Sequence, residues 1–397
     1  MPSNSTDTVN GNDGVIRERI RGCLIGGAAG DALGYAVEFL GEEEIFSRHG
    51  TGGIRRYEVA PLRRKALISD DTQMTLFTAN GLLVWATRFA VNGDGQPAAY
   101  VAEAYRDWLY TQEWNAGARE KPNADGLRHL CWLLDVPELY SRRAPGNTCL
   151  SALYQQADGG VFGSIAHPLN HSKGCGGVMR VAPMGLLRWP QEDVRALDRA
   201  GAELAAITHG HPLGYLPAAV LTHIVNRIVY PEKDLTLREI VREATDTVAG
   251  SFPEEAEARE LAALLYRAMD LADNGADDLK NIHALGEGWV GDEALAIAVY
   301  CALRHQNDFS AGIIAAVNHK GDSDSTGAVA GNILGAWLGA DAIDDCWKTD
   351  LELYDVILTI ADDLCRAGQG EALAADPDWR KKYDRTRRGG APEQEEQ

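Results

Sequence analysis

Two short acidic stretches, far apart in the chain, hold the residues best equipped for chemistry. "SDDTQMT" at 69–75 contains Ser69, Asp70 and Asp71, and "GDSDST" at 321–326 contains Asp322, Asp324 and Ser325. Each precedes an apolar, helix-length segment. Each therefore reads as a helix N-cap and first turn, where Ser and Asp accept backbone N–H bonds and complement the helix dipole. One acid is enough for capping, yet both stretches carry two together with hydroxyls. Should they meet, two carboxylates about 4 Å apart repel by roughly 4 kcal/mol at an effective dielectric near 20, and four would need protons or bound cations. Ligands made only of carboxylate and hydroxyl oxygen suit hard ions such as Mg²⁺ or Mn²⁺ rather than zinc.

The elements that would position these groups are helices. Amphipathic segments at 96–111, 192–208, 214–230, 254–273, 292–305 and 350–366 are separated by Gly, Pro and Asn turns, and alternating β-branched patterns are scarce. The fold class is all-α, expected as a single compact multi-helix orthogonal bundle over residues 15–370. Gly- and Asn-rich stretches near 112–125 and 158–177 read as long surface loops, which often carry binding groups.

Two segments break the rules of a good helix. Gly22, Gly26, Gly30 and Gly34 recur every fourth residue, as do Gly327, Gly331, Gly335 and Gly339. Each glycine inside a helix costs about 1 kcal/mol relative to alanine. Residues four apart share a face, so each segment presents a bare groove that another helix can approach closely. Two independent ridges, each packing on its own neighbour, would satisfy this pattern. The alternative is that the two ridges pack on each other. Antiparallel contact would then carry Glu38, next along the first ridge, towards Asp322 and Asp324.

Composition narrows the function. A hydrophobic content of 45% with 24% charged residues is that of a globular domain. The net charge of −20 argues against a nucleic-acid face, which needs a basic stripe. The one basic run, "RKKYDRTRR" at 380–388, lies in a charged segment, 371–397, expected to be a disordered tail; residues 1–14 are expected to be a disordered extension. Seven cysteines without a CxxC pair fit a reducing compartment. The start of the chain has no basic-then-apolar leader pattern, and no segment reads as a membrane span, so a cytoplasmic location is expected.

A third stretch, "NHSKGCGGVMR" at 170–180, places Gly174, Gly176 and Gly177 around Cys175. Glycine-rich backbone before a helix can cradle phosphate through its N–H groups, although a tight loop needing positive φ would look the same.

Taken together and in order, "GCLIGGAAGDALGYAVEF", "SDDTQMT", "SKGCGGVMRVAPMG", "THGHPLGYLPAAV", "GWVGDEALAIAVYCAL" and "GDSDSTGAVAGNILGAWLG" resemble the ADP-ribosylglycohydrolase family over roughly residues 16–340. The resemblance implies an all-helical fold with a two-metal centre, Mg²⁺ or Mn²⁺, that removes ADP-ribose from modified targets and leaves free ADP-ribose as product. Its metal ligands would be Ser69, Asp70, Asp71, Asp322, Asp324 and Ser325, with Glu38 reaching the metals or substrate. Serine here replaces the threonine common in the family at both hydroxyl positions, and Cys175 stands where asparagine is frequent. The resemblance further places Ser172, Gly174, Cys175 and Gly176 at the phosphates or ribose, His209 beside the diphosphate, and Trp289 with Glu293 near the distal pocket wall. Phe162 and His167 could stack on adenine. The target implied first is ADP-ribosyl-arginine on a protein, with the proton handled by Glu38 or Asp324. Serine-linked or non-protein ADP-ribose, and a binding or immunity protein that has lost turnover, are the rival readings.

Overall fold

The computed structural model describes residues 6–93, 95–113, 129–159, 161–189, 193–367, 373 and 375–384, with side chains from residue 13 onwards. Within them the chain folds into helices α1 (Thr6–Tyr35), α2 (Glu42–His49), α3 (Asp70–Asn92), α4 (Pro97–Glu113), α5 (Asn147–Ala157), α6 (Ala182–Leu186), α7 (Val194–Ala206) and α8 (Pro212–Val229). There follow α9 (Leu237–Ser251), α10 (Ala256–Ala272), α11 (Asp278–His283), α12 (Gly291–Arg304), α13 (Phe309–Val317), α14 (Ser323–Leu338), α15 (Tyr354–Ala367) and a last helix, Pro377–Tyr383. A two-residue antiparallel ladder, Val59–Ala60 with Lys65–Ala66, is the sheet found among the described residues.

The amphipathic segments read from the sequence coincide with α4, α7, α8, α10, α12 and α15 to within a few residues. Local chemistry sets their ends. Thr236 and Glu239 form a reciprocal capping box at α9, Pro212 occupies the first turn of α8, and Gly93 closes α3 in the left-handed region with φ 72°. Among the described residues the expected loop at 158–177 is non-helical apart from a single 3₁₀ turn at Cys175–Gly177, whereas most of the expected loop at 112–125 lies outside the described residues.

The glycine ridges pack on each other, antiparallel, at the centre of the bundle. A Cβ at Gly30 would lie 1.9 Å from the Gly327 carbonyl oxygen, one at Gly331 2.0 Å from that of Gly26, and one at Gly335 1.9 Å from that of Gly22. No side chain larger than hydrogen fits between these backbones. Helices α12 and α13 pack against α14, and α15 against α1, so the glycine pair is wrapped by apolar helices. The penalty of glycine in the two helices is thereby offset by contact along four turns.

The chain ends differ from expectation. Helix α1 begins at Thr6, inside the expected extension, and residues 1–5 lie outside the described residues. Beyond 371, Asp376 accepts the N–H bonds of Asp378 and Trp379, Pro377 takes the first helical position, and Trp379 and Tyr383 are buried. The Trp379 indole donates to Thr87 Oγ1 at 2.8 Å. An Asp-Pro helix start and two aromatic anchors thus hold part of the expected tail on the bundle; residues 385–397 lie outside the described residues.

Candidate active site

The first acidic mouth is built at the start of α3. Ser69 is extended, and its Oγ accepts the Asp71 N–H at 3.1 Å. Behind it stands Asp31, from near the C-terminal end of α1, fully buried. Its carboxylate accepts the N–H of Ser69 at 3.0 and 3.1 Å, the N–H of Thr72 at 3.1 Å, and the Thr72 hydroxyl. Burial, then the charge of Asp324, push its carboxyl up to about 7. On the other side the Asp70 N–H donates to the Arg143 carbonyl at 3.0 Å, while Asp70 Oδ2 accepts the Gly146 N–H at 3.4 Å. Asp31 is a site-forming residue that sequence reasoning missed; the available signal was a lone acid in a Gly/Ala helix stripe.

The second mouth opens α14. Asp322 caps the helix by accepting the Ser325 N–H at 3.4 Å, and its own N–H donates to the Glu287 carbonyl at 2.9 Å. Antiparallel packing brings this turn onto the end of α1, since a Cβ at Gly34 would lie 2.6 Å from Asp324 Cα. One carboxylate oxygen each of Glu38, Asp322 and Asp324 then fall within 4.8 Å of one another. The two mouths join directly: Ser325 Oγ donates to Asp71 Oδ2 at 2.9 Å, across 254 positions of sequence. Thr326 turns away, its hydroxyl donating to the carbonyls of Ala316 and Asp322.

The electrostatics of the cage favour positive charge. Glu38, Asp70, Asp71, Asp322 and Asp324 are all buried, with exposures of 3–8%. Burial first, then Asp324 and Asp322, drive Glu38 up to about 10; Asp70, Asp71 and Asp322 are held well above the carboxylate range by burial and by Asp324. Glu38 Oε2 is buried without a hydrogen-bond partner. Oxygen-only donors, mutual repulsion and an orphaned carboxylate oxygen fit a hard divalent cation.

The glycine loop lies alongside. Gly174 bridges to Val290, the Cys175 N–H donates to the Trp289 carbonyl at 3.3 Å, and the Gly291 N–H donates to the Lys173 carbonyl at 2.9 Å. Cys175 Sγ donates to Asp322 Oδ2 at 2.8 Å, and burial keeps this thiol protonated by pushing it well above its usual value. Ser172 Oγ accepts the Gly174 N–H at 3.3 Å and pairs with the Thr148 hydroxyl. His209 lies buried beneath the loop, its Nε2 3.3 Å from where a Gly174 Cβ would stand.

The more distant candidates divide. Trp289 is 42% exposed, so it is not a core residue. Glu293 accepts the N–H groups of Glu287 and Gly288 and so holds the 286–288 turn rather than facing the cage. His211 is the cap of α8, its Nδ1 accepting the Leu213 N–H at 3.0 Å. Phe162 is half-buried and His167 exposed on the 161–171 loop. Among the described residues no helix is long and apolar enough to cross a membrane.

Comparison with known proteins agrees with this architecture. The family model described as ADP-ribosylglycohydrolase matches residues 12–374. The Rhodospirillum rubrum ADP-ribosyl-[dinitrogen reductase] glycohydrolase is 25% identical over 85% of this chain and 92% of its own. An uncharacterised Escherichia coli protein is 26% identical over 84% of this chain and 92% of its own. Human ADP-ribosylhydrolase ARH3 is 28% identical over 50% of this chain and 59% of its own length. Among solved structures, an ADP-ribosylglycohydrolase-related protein complex superposes with a TM-score of 0.52 at 22% identity, over 89% of this chain and 99% of that one. With a family match spanning nearly the whole chain, and with the helical fold and buried acids already described, this protein belongs to the ADP-ribosylglycohydrolase family of hydrolases.

Proposed function

We propose that the chain removes ADP-ribose from a modified protein by cleaving the glycosidic bond at ribose C1, with ADP-ribosyl-arginine as its first substrate. The observation that carries this reading is the Ser325 to Asp71 hydrogen bond of 2.9 Å, which fuses two acidic helix mouths into one buried cage. Ser69, Asp70, Asp71, Asp322, Asp324 and Ser325 would hold two ions, Mg²⁺ or Mn²⁺. When bound, such ions orient ribose hydroxyls and polarise water.

The protein's own groups divide the remaining tasks. Asp31 fixes the Ser69–Thr72 turn, so that Asp70 and Asp71 are presented from a rigid helix start. Glu38, in the turn that follows α1, has an unpaired oxygen in the cage and is the group placed to give or take the proton at C1, with Asp324 as its partner. Such paired carboxylates serve oxocarbenium-like glycosyl transfer. The backbone N–H groups of Gly176 and Gly177 and the His209 ring receive the diphosphate, and Ser172 and Cys175 line its flank. Trp289, partly exposed and with its carbonyl accepting the Cys175 N–H, stands beside that loop. The Rhodospirillum relative, whose name specifies an ADP-ribosylated protein, supports a protein target, and the net charge of −20 disfavours a nucleic acid. An intact set of acids argues against a merely sequestering protein.

The test is release of free ADP-ribose from arginine-linked and serine-linked ADP-ribosyl peptides, with Mg²⁺ and with EDTA. Wild-type chain should act on the arginine substrate only with metal. Asp70→Asn, Asp324→Asn and Glu38→Gln should each lose about 100-fold or more in kcat/KM, about 2.7 kcal/mol of transition-state stabilisation. Near-wild-type turnover in all three variants would end the proposal, and release from serine alone would reassign the linkage.

A further inference from the structure

Arg180 is 1% exposed, and among the described residues it forms no ion pair with a carboxylate. Its guanidinium lies over the Tyr105 ring at 4.4 Å and donates through Nη1 to the sulfurs of Cys149, at 3.2 Å, and Met74, at 3.5 Å. Its Nε is buried without an acceptor. A cation held among sulfur and aromatic groups is expensive to bury. Its strongest oxygen contact is therefore informative: Nη2 donates to Thr208 Oγ1 at 2.7 Å.

Thr208 Oγ1 also lies 2.8 Å from His209 Nδ1. A hydroxyl has one hydrogen, and an arginine N–H can only donate. With one lone pair of its oxygen taken by Arg180, the threonine can turn its hydrogen to the imidazole, and in that arrangement Nδ1 is the acceptor and the ring proton stands on Nε2. That nitrogen has no protein acceptor among the described residues and sits against the glycine loop, 3.3 Å from a Cβ at Gly174 and 3.2 Å from one at Gly176. The charged and titratable groups packed on the ring are Arg180 and the Cys149 thiol, which burial keeps protonated. Burial and then Arg180 hold the imidazole down at about 3.

We infer that Arg180 and Thr208 are positioning residues: they lock His209 as a neutral Nε2–H donor aimed through the glycine loop at an anionic oxygen of the diphosphate. The inference rests on the ADP-ribose reading of this site, and it adds how the histidine is set. A second proton on the ring would have to displace the threonine hydrogen and stand beside a buried guanidinium. His209 therefore binds its anion as a fixed dipole rather than as an imidazolium, and its contribution does not rise at acid pH.

The test uses the full chain labelled with ¹⁵N-histidine, in Mg²⁺, with long-range ¹H–¹⁵N correlation spectra and calorimetric titration of ADP-ribose. His209 should show the neutral Nε2–H pattern from pH 8 down to 5. Thr208→Val should mix the tautomers and weaken ADP-ribose about five- to tenfold, the worth of one hydrogen bond, while Thr208→Ser restores both. An Nδ1–H pattern, a ring midpoint above pH 5, or a Thr208→Val chain that binds as wild type would overturn the inference. The serine variant keeps the test decisive if valine prevents folding. Should wild-type His209 show the expected tautomer while the chain binds no ADP-ribose, the fault would lie in the ligand, and the hydrolase reading would fall with it.

Discussion

Adding a single methyl group to the central glycine ridge should destabilise the protein, while the same change near the start of α1 should stabilise it. At Gly331 an added Cβ would stand 2.0 Å from the Gly26 oxygen, 2.6 Å from its carbonyl carbon and 3.1 Å from the Gly27 nitrogen. Ordinary contact begins near 3.4 Å. The shortfall to the oxygen is therefore about 1.4 Å, and every opposing atom is backbone, so no side chain can rotate aside. Alanine gains about 1 kcal/mol in helix propensity, but overpacking of this kind costs about 3 kcal/mol at the upper end of its usual range. The net loss is about 2 kcal/mol. Gly14, also in α1, has nothing within 4 Å of such a Cβ and is exposed, so Gly14→Ala should gain up to about 1 kcal/mol. Urea midpoints in EDTA, with a fixed m-value, read both changes; melting temperature would move only about 1–1.5 °C per kcal/mol in a chain of this length. A Gly331→Ala protein as stable as wild type would refute the close-packed ridge, and so would a loss at Gly14 as large as at Gly331.

Three further outcomes follow from the same geometry. In Gly34→Ala the new Cβ would lie 2.6 Å from Asp324 Cα, so this variant should lose Mn²⁺ affinity by calorimetry about tenfold more than Gly331→Ala does, and equal losses would break the link between ridge and cage. Ser325→Ala removes the hydroxyl that joins the mouths and should weaken Mn²⁺ about tenfold, with Ser325→Thr restoring it; unchanged affinity in the alanine variant would count against Ser325 as a ligand. Metal-free protein should melt higher at pH 5.5 than at pH 8. Asp31 rises from 3.8 to about 7 on folding and Glu38 from 4.5 to about 10, so each binds its proton more tightly when folded. The stability they contribute is complete below the unfolded values and drains as pH climbs through those windows. Saturating Mg²⁺ should raise the melting temperature most at pH 8, where the ion has the fewest protons to displace from the acids; a metal-free protein more stable at pH 8 would contradict the buried-acid electrostatics.

Much of this site could be read from the chain because its logic is local and repeated. Glycines at four-residue spacing announce a helix face without side chains, and acids at two helix starts announce two mouths. The antiparallel register that brings Glu38 to Asp322 and Asp324 follows once the ridges face each other. What stayed hidden depends on pairings that leave no periodic trace. Asp31 looks like a break in an apolar run until Ser69 and Thr72 are seen donating to it across 38 and 41 positions. The Arg143 carbonyl that holds Asp70 comes from irregular backbone, where no side-chain pattern points to it. His209 was placed beside the phosphates by family likeness, yet its burial beneath the glycines, and the Arg180 and Thr208 contacts that orient it, are tertiary facts. The helix at Pro377–Tyr383 was obscured by the basic run that begins within it, although its Asp-Pro start and Trp379 were in plain view.

The central claim is that the starts of α3 and α14 form one cation-binding cage. It is tested most directly by anomalous diffraction from crystals grown with Mn²⁺. Peaks bounded by Asp70 and Asp71 on one side and Asp322 and Asp324 on the other are predicted, within direct ligand distance of those oxygens. Manganese found only elsewhere on the protein, with these four carboxylates unliganded at neutral pH, would contradict it.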